Sequence, residues 1–301
     1  MVERRPGLVL FAHIVLVAGV VLTALPLWIA FVASTHPVEN LTSGRMPLLP
    51  GDQLLTNYLS LLTERGPNGM PPTLAMMKNS LVMALGITIG KIIVSFLAAF
   101  ALVFFRFRFR MVFFWLIFIT LMLPVEIRII PTYAVVANIF SPLQKFWALF
   151  GVSVDIKLSL LNSYAGLTLP LIASATATFL FRQVFLTIPD ELMEAARIDG
   201  ARPMQFLRDF LLPLSKTNIA ALCVILFIYG WNQYLWPLLI TTDDAYSTVV
   251  VGIQRMINAG DQTLPIWNEV MAFAILAMLP PVLVVLFMQR LFVKGLIETE
   301  K

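Results

Sequence analysis

Cysteine and histidine are nearly absent from this chain. Cys223 is the one cysteine and lies in an apolar run, so no disulfide can form within the chain. The two histidines, His13 and His36, stand far apart with no ligand-like spacing, which predicts no metal site. With one thiol and two unmatched imidazoles there is also no catalytic constellation for a membrane enzyme. Carboxylates within apolar runs are almost missing, Glu126 at an edge excepted, which argues against a secondary transporter coupled through buried acids. A phosphate-cradling loop is lacking as well. Gly86-Ile-Thr-Ile-Gly90-Lys91 has one residue too few between its glycines, Ile92 where Ser or Thr should hold Mg²⁺, and no preceding strand. Small residues four apart suit closely packed transmembrane helices instead.

Charge of either sign is scarce. Only 13% of the 301 residues are charged and 59% are hydrophobic, whereas about a quarter of a soluble domain is charged. The mean hydropathy is +0.87. The chain therefore belongs in lipid, and its net charge of +4 reflects topology rather than a nucleic-acid partner. Six windows reach the roughly 20 apolar residues a spanning helix needs: about 8–33, 80–105, 111–131, 160–181, 216–240 and 269–289. The first is too long for a signal peptide and has no clear cleavage site, so it reads as a retained anchor.

Basic residues set the orientation. With the N-terminus inside, 13 Lys and Arg fall on the cytoplasmic side: Arg4, Arg5, Arg106, Arg108, Arg110, Arg182, Arg197, Arg202, Arg208, Lys216, Arg290, Lys294 and Lys301. Seven fall outside: Arg45, Arg65, Lys78, Arg128, Lys145, Lys157 and Arg255. Both termini are then expected in the cytoplasm. The outer connections are a Pro/Gly-rich stretch 34–79, residues 132–159 with a short interfacial helix within PLQKFWALFGVSVDIKL, and residues 241–268 carrying Asp243, Asp244 and Asp261, with Glu269 just beyond.

Between the fourth and fifth windows, at about 183–213, lies a polar island reading TIPDELMEAARIDGARPMQFLRDFLLPLS. Thr187 and Asp190 have capping-box spacing. Pro189 suits a first helical turn, and Asp190, Glu191 and Glu194 place negative charge near the positive end of the helix dipole. Gly200 is placed to end this helix, and a second segment should start at Pro203 and end at Pro213. Ala195 and Ala196 leave a slim surface suited to helix-in-groove docking. The same pattern also fits a loop lying on the membrane surface.

Glu194-Ala195-Ala196, three residues, Gly200, nine residues, then Phe210-Leu211-Leu212-Pro213 resembles the EAA signature of membrane subunits of ABC importers, with Phe210 where the family prefers Ile. Leu123-Pro124 and the run WNQYLWPL from Trp231 to Leu238 resemble the carbohydrate-type permeases of that family. The stretches ITLMLPVEIRIIPT, SYAGLTLPLIASATATFLFRQ, PLSKTNIAAL and FIYGWNQYLWPLLI resemble its members that carry sn-glycerol 3-phosphate. The likeness covers nearly the whole chain, with residues 140–158 reading as an insertion.

The resemblance implies an all-α integral membrane protein of six transmembrane helices, one type I importer transmembrane domain over residues 1–301 of the bacterial inner membrane, with a cytoplasmic coupling helix. It implies a non-catalytic permease subunit forming half of a pore for sn-glycerol 3-phosphate or glycerophosphodiesters, or else for a neutral sugar, oligosaccharide or polyol. Its expected partners are a second permease subunit, an ATPase subunit homodimer and a periplasmic or extracellular solute-binding protein, with lipid around it. No cofactor is expected on this chain, and ATP and Mg²⁺ should sit on the ATPase subunit. Glu191, Glu194, Ala195, Ala196, Asp199 and Gly200 are assigned to the ATPase contact by resemblance.

Ionisable groups in a span cost about 2.5–3.5 kcal/mol each by insertion scales, so each asks for a reason. Lys91 falls in the second window, and Glu126 and Arg128 fall at the outer end of the third. They either pair with each other and with neighbouring helices, or line the solute path and attract an anion. Near Pro237, Trp231 and Asn232 are further pathway candidates, with Gln233 also able to bond hydroxyls, although an aromatic belt would need no function.

Overall fold

A computed structural model describes residues 6–42, 47–120, 123, 125–153, 155–258 and 265–298, and no strand occurs among them. The first helices are α1 (Pro6–Ser34), α2 (Val38–Thr42), α3 (Leu54–Thr63), α4 (Thr73–Phe104), α5 (Arg110–Ile119), α6 (Val125–Ala137), α7 (Ser141–Ala148) and α8 (Tyr164–Thr168). They are followed by α9 (Ala175–Leu186), α10 (Asp190–Ile198), α11 (Pro203–Phe206), α12 (Leu212–Leu214), α13 (Lys216–Trp231), α14 (Leu235–Ile240), α15 (Val249–Asn258) and α16 (Trp267–Glu298). The all-α expectation holds.

Three helices are long and apolar enough to cross a bilayer unbroken: α1 from Gly7, α4, and α16 over Trp267–Gln289. The other three expected spans are interrupted. Window 111–131 resolves into α5 and α6, separated around Leu123 and reaching Ala137; Pro124 lies outside the described residues. Window 160–181 becomes α8 with a 3₁₀ turn, then α9, bent by 49°. Ser174 provides the new start by accepting a hydrogen bond from Ala177 N–H at 3.3 Å. Window 216–240 breaks at Asn232–Tyr234 between α13 and α14. Broken helices survive in a membrane only where other groups satisfy the freed backbone, which places these breaks against protein or a cavity rather than lipid.

The chain packs as two compact units, one of residues 1–76 and 252–279, the other of residues 77–251 and 280–301. In the first, the stretch after α1 folds back on that helix end. Gly51 N–H donates to Thr35 Oγ1 at 2.7 Å, and Gln53 N–H to Thr35 O at 3.0 Å. Asn57 Nδ2 donates to Ser34 O at 2.9 Å, and Ser34 Oγ meets Tyr58 OH at 2.8 Å. The described residues between Gly51 and Tyr58 are thus tied to the end of α1, whose terminal carbonyls and hydroxyls they satisfy.

Two cores are seen among the described residues of the second unit. One joins α4, α9, α13 and the polar island around Phe96, Phe181, Phe185, Phe206 and Leu211. Phe96 meets Phe181 and Phe185 edge-on at 5.1 and 5.0 Å, contacts worth about 0.5–1.5 kcal/mol each beyond burial. The other joins Met83, Ile87, Val136, Leu167, Trp236 and Ile240, with Trp236 Nε1 donating to Gly166 O at 3.2 Å. The glycines of α4 act as packing sites: a Cβ at Gly86 would lie 2.7 Å from Thr168 Cγ2, and one at Gly90 2.5 Å from Ile172 Cγ2. Residues 86–91 are helical, so they form no phosphate-binding loop. The expected interfacial helix is α7, tied in by Gln144 Nε2 donating to Ile156 O at 2.9 Å.

Candidate functional site

The polar island forms a short helix held from beneath. Thr187 does not cap it: its hydroxyl donates to Val184 O at 2.7 Å, and Thr187 closes α9 instead. The preceding helix offers free carbonyls one turn back, and Thr187 reaches those before any amide of α10. The N-cap residue is Pro189, with Asp190 and Glu191 in the first turn, where their charge favours the helix end. At the other end Gly200 has φ +76°. Ala201 N–H donates to Ala196 O at 2.9 Å and Gly200 N–H to Arg197 O at 3.0 Å, the paired bonds of a Schellman ending.

Glu191, Glu194, Ala195, Asp199 and Gly200 are exposed. Ala196 is not: it is 3% exposed and belongs to the aromatic core. Its small size lets α10 lie close to the body, so its expected place on the partner-facing surface is corrected. Ile198, 85% exposed, was missed, as was Met204 at 63%. Ile198 stands two residues, hence about 200°, from inward-facing Ala196, a helical-wheel signal that could have found it.

The second segment starts at Pro203, where Arg202 N–H donates to Gln205 Oε1 at 2.7 Å. It runs through Pro213, its expected end, to Leu214. Pro213 has no N–H to give, and the π-helical turn Leu207–Leu211 just before it absorbs the mismatch. The chain then turns by 75° into α13.

A cavity of about 270 Å³ opens where the broken helices meet, lined by Arg128, Thr132, Pro170, Tyr229, Gln233 and Trp236 among others. The break after α13 frees the Tyr229 carbonyl, and Gln233 Nε2 donates to it at 3.1 Å. Lys91 is 6% exposed, with Nζ 3.7 Å from the centroid of the Tyr229 ring, an arrangement in which the ring face offsets part of the cost of burying an ammonium. Lys91 is not itself among the residues lining the cavity, but it lies on the ring of Tyr229, which shares that lining with Arg128.

Trp231 and Asn232 are not among the residues lining this cavity. Trp231 is 3% exposed and stacks on Phe227 at 5.9 Å; within α13 it stands about 200° from Tyr229 and so points away. Asn232 is exposed and caps the end of α13. Gln233 and Tyr229 occupy the place given to that pair. The side chain of Glu126 lies outside the described ones.

A family model described as the inner membrane component of binding-protein-dependent transport systems matches residues 91–298, which take in both the island and the cavity. This chain belongs to that family. It is 55% identical over 302 residues, the full length of both chains, to the sn-glycerol-3-phosphate transport system permease protein UgpE of Agrobacterium fabrum. The corresponding proteins of Salmonella typhi and Brucella melitensis are 55% and 53% identical, again over both full lengths.

Among solved structures, a chain of a bacterial ABC transporter involved in import of the acidic polysaccharide alginate superposes with a TM-score of 0.74 at 20% identity, covering 96% of this chain and 98% of that one. That likeness establishes the fold. The transport component described here is thus a multi-pass inner membrane permease subunit of an ABC importer.

Proposed function

We propose that this permease forms half of the translocation pore of an ATP-driven importer of sn-glycerol 3-phosphate and glycerophosphodiesters. The observation that carries the substrate is Arg128 on the cavity at the helix breaks, in a chain whose full-length relatives are named for sn-glycerol 3-phosphate. A planar guanidinium donates two parallel hydrogen bonds to a phosphate, and Lys91 adds positive potential beside it. Gln233 supplies an amide of the kind that bonds glycerol hydroxyls.

The energy comes from outside the chain, because residues 86–91 lie inside a helix and offer no nucleotide cradle. An ATPase homodimer carrying ATP and Mg²⁺ grips α10 through Glu191, Glu194, Ala195, Asp199, Gly200 and Ile198. The basic residues around the island put it, with both termini, in the cytoplasm. Closure of the ATPase pair on ATP moves the coupling helices of this chain and of a second permease subunit together, and the pore turns from inward- to outward-facing by rigid-body motion. A solute-binding protein outside delivers the phosphate ester, and release of ADP resets the pore.

Two measurements test this reading. Proteoliposomes holding the chain with its partner subunits should take up sn-glycerol 3-phosphate in preference to a disaccharide, and the reverse preference overturns the substrate. The chain purified alone should hydrolyse no ATP, and robust turnover overturns the division of labour.

A further inference from the structure

A second cavity, of about 320 Å³, lies between the end of α4 and the polar island, far in sequence from the cavity at the helix breaks. Arg106 and Arg197 both open onto it, its other walls include Phe100, Phe104 and Phe206, and none of its lining residues is a carboxylate. Two exposed cations opening onto one aromatic-walled cleft without an acid in its lining favour an anion between them.

The surroundings say what carries that anion. Between α4 and α5 the chain reads Phe105-Arg106-Phe107-Arg108-Phe109-Arg110, a tight turn closed by Arg110 N–H donating to Phe107 O at 3.2 Å. Phe105, Phe107 and Phe109 are 43%, 41% and 57% exposed. Exposed apolar rings alternating with arginines at a helix end suit the boundary where acyl chains meet charged headgroups. A free inorganic anion would use the guanidiniums and leave the aromatic walls bare, whereas a phosphate bearing acyl chains satisfies both. Basic pockets between transmembrane helices on the cytoplasmic side hold anionic lipid headgroups for this reason.

We propose that this cavity holds the headgroup phosphate of an anionic phospholipid between Arg106 and Arg197, anchoring the coupling helix to its leaflet. The assignment uses the orientation given under the proposed function, but its test depends on neither orientation nor solute. The complete transporter, exchanged into detergent with phosphatidylglycerol or phosphatidylcholine, is weighed intact by native mass spectrometry. Phosphatidylglycerol should stay bound and phosphatidylcholine should not.

Arg106→Gln with Arg197→Gln should lower retention about twenty-five-fold, since each such guanidinium contributes roughly a fivefold preference for an anionic lipid. Arg106→Lys with Arg197→Lys, which keeps the charge, should restore most of it and separates lost charge from lost fold. Arg108→Gln with Arg110→Gln should leave the lipid in place. Unchanged retention in the first double variant, or an equal loss in the Arg108/Arg110 pair, overturns the site. Displacement by excess inorganic phosphate makes it a free-anion site, and retention only after the ATPase subunits are stripped from the complete transporter gives it to that protein partner; either result overturns the lipid.

Discussion

The coupling helix and the cavity at the helix breaks are built on opposite plans. α10 is short, polar and exposed, every hydrogen bond that defines its ends is local, and its Met193 and Ala196 pack down onto the aromatic core that includes Phe206. The cavity is assembled from α6, the turn after α8, the end of α13 and the start of α14, and it lies where spans are interrupted. A structural element that must transmit force is made stiff by caps and by aromatic packing. An element that must open and close is placed where the backbone ladder is already broken, so that small rotations need not break further bonds.

The harshest way to break this contrast is at the coupling helix. Glu194→Lys and Gly200→Asp should each lower uptake about a hundredfold, while ATP hydrolysis persists and membrane insertion is unchanged. Charge reversal across a docked surface costs several kcal/mol. An Asp at φ +76° also loses the left-handed ending that only Gly adopts without strain. Uptake assays beside immunoblots of inserted protein check this, and normal uptake in both variants puts the handle elsewhere.

At the cavity, Arg128→Ala should raise the KM for sn-glycerol 3-phosphate about tenfold to a hundredfold, the worth of a charge-assisted bidentate contact. The amount of assembled complex should stay the same, and Arg128→Lys should fall between the two. A loss of assembly in step with transport would make Arg128 a structural cation instead.

How far each region can be read from the chain follows from the same contrast. Pro189, the acidic first turn and Gly200 act over four or five residues, so the island was legible almost residue by residue. It failed at Thr187, which had a nearer acceptor in α9, and at Ala196, whose inward aim depends on distant aromatic rings. The apolar windows located the spans but hid their breaks, because hydropathy reports where lipid lies and not where backbone bonding stops. The breaks at Ile172–Ser174 and Asn232–Tyr234 were written in Ser174, Pro170 and Pro237, which local averaging smooths away. Nothing local announces that Lys91 sits over Tyr229.

A milder change tests whether the wall behind the cavity is rigid. Gly90→Val should collide with Ile172 and destabilise the chain by about 1–3 kcal/mol, the cost of overpacking. Thermal melting in detergent should show a lower Tm, with KM for the solute little altered. An unchanged Tm would mean that α4 and the Ile172 segment separate freely.

The finest test compares two neighbours. Gln233 lines the cavity and Asn232 does not, though both carry amides and stand side by side after α13. Gln233→Ala removes a neutral hydrogen-bonding group worth about 0.5–1.5 kcal/mol, so KM for sn-glycerol 3-phosphate should rise about threefold to tenfold. Asn232→Ala removes an exposed cap residue, and surface changes of that kind stay within about 0.5 kcal/mol, so KM should hold within roughly twofold. Equal effects would mean that both residues merely shape the break. A larger effect at Asn232 would move the solute path to the other face of α13, where Trp231 lies buried against Phe227, and that core would then have to open during transport.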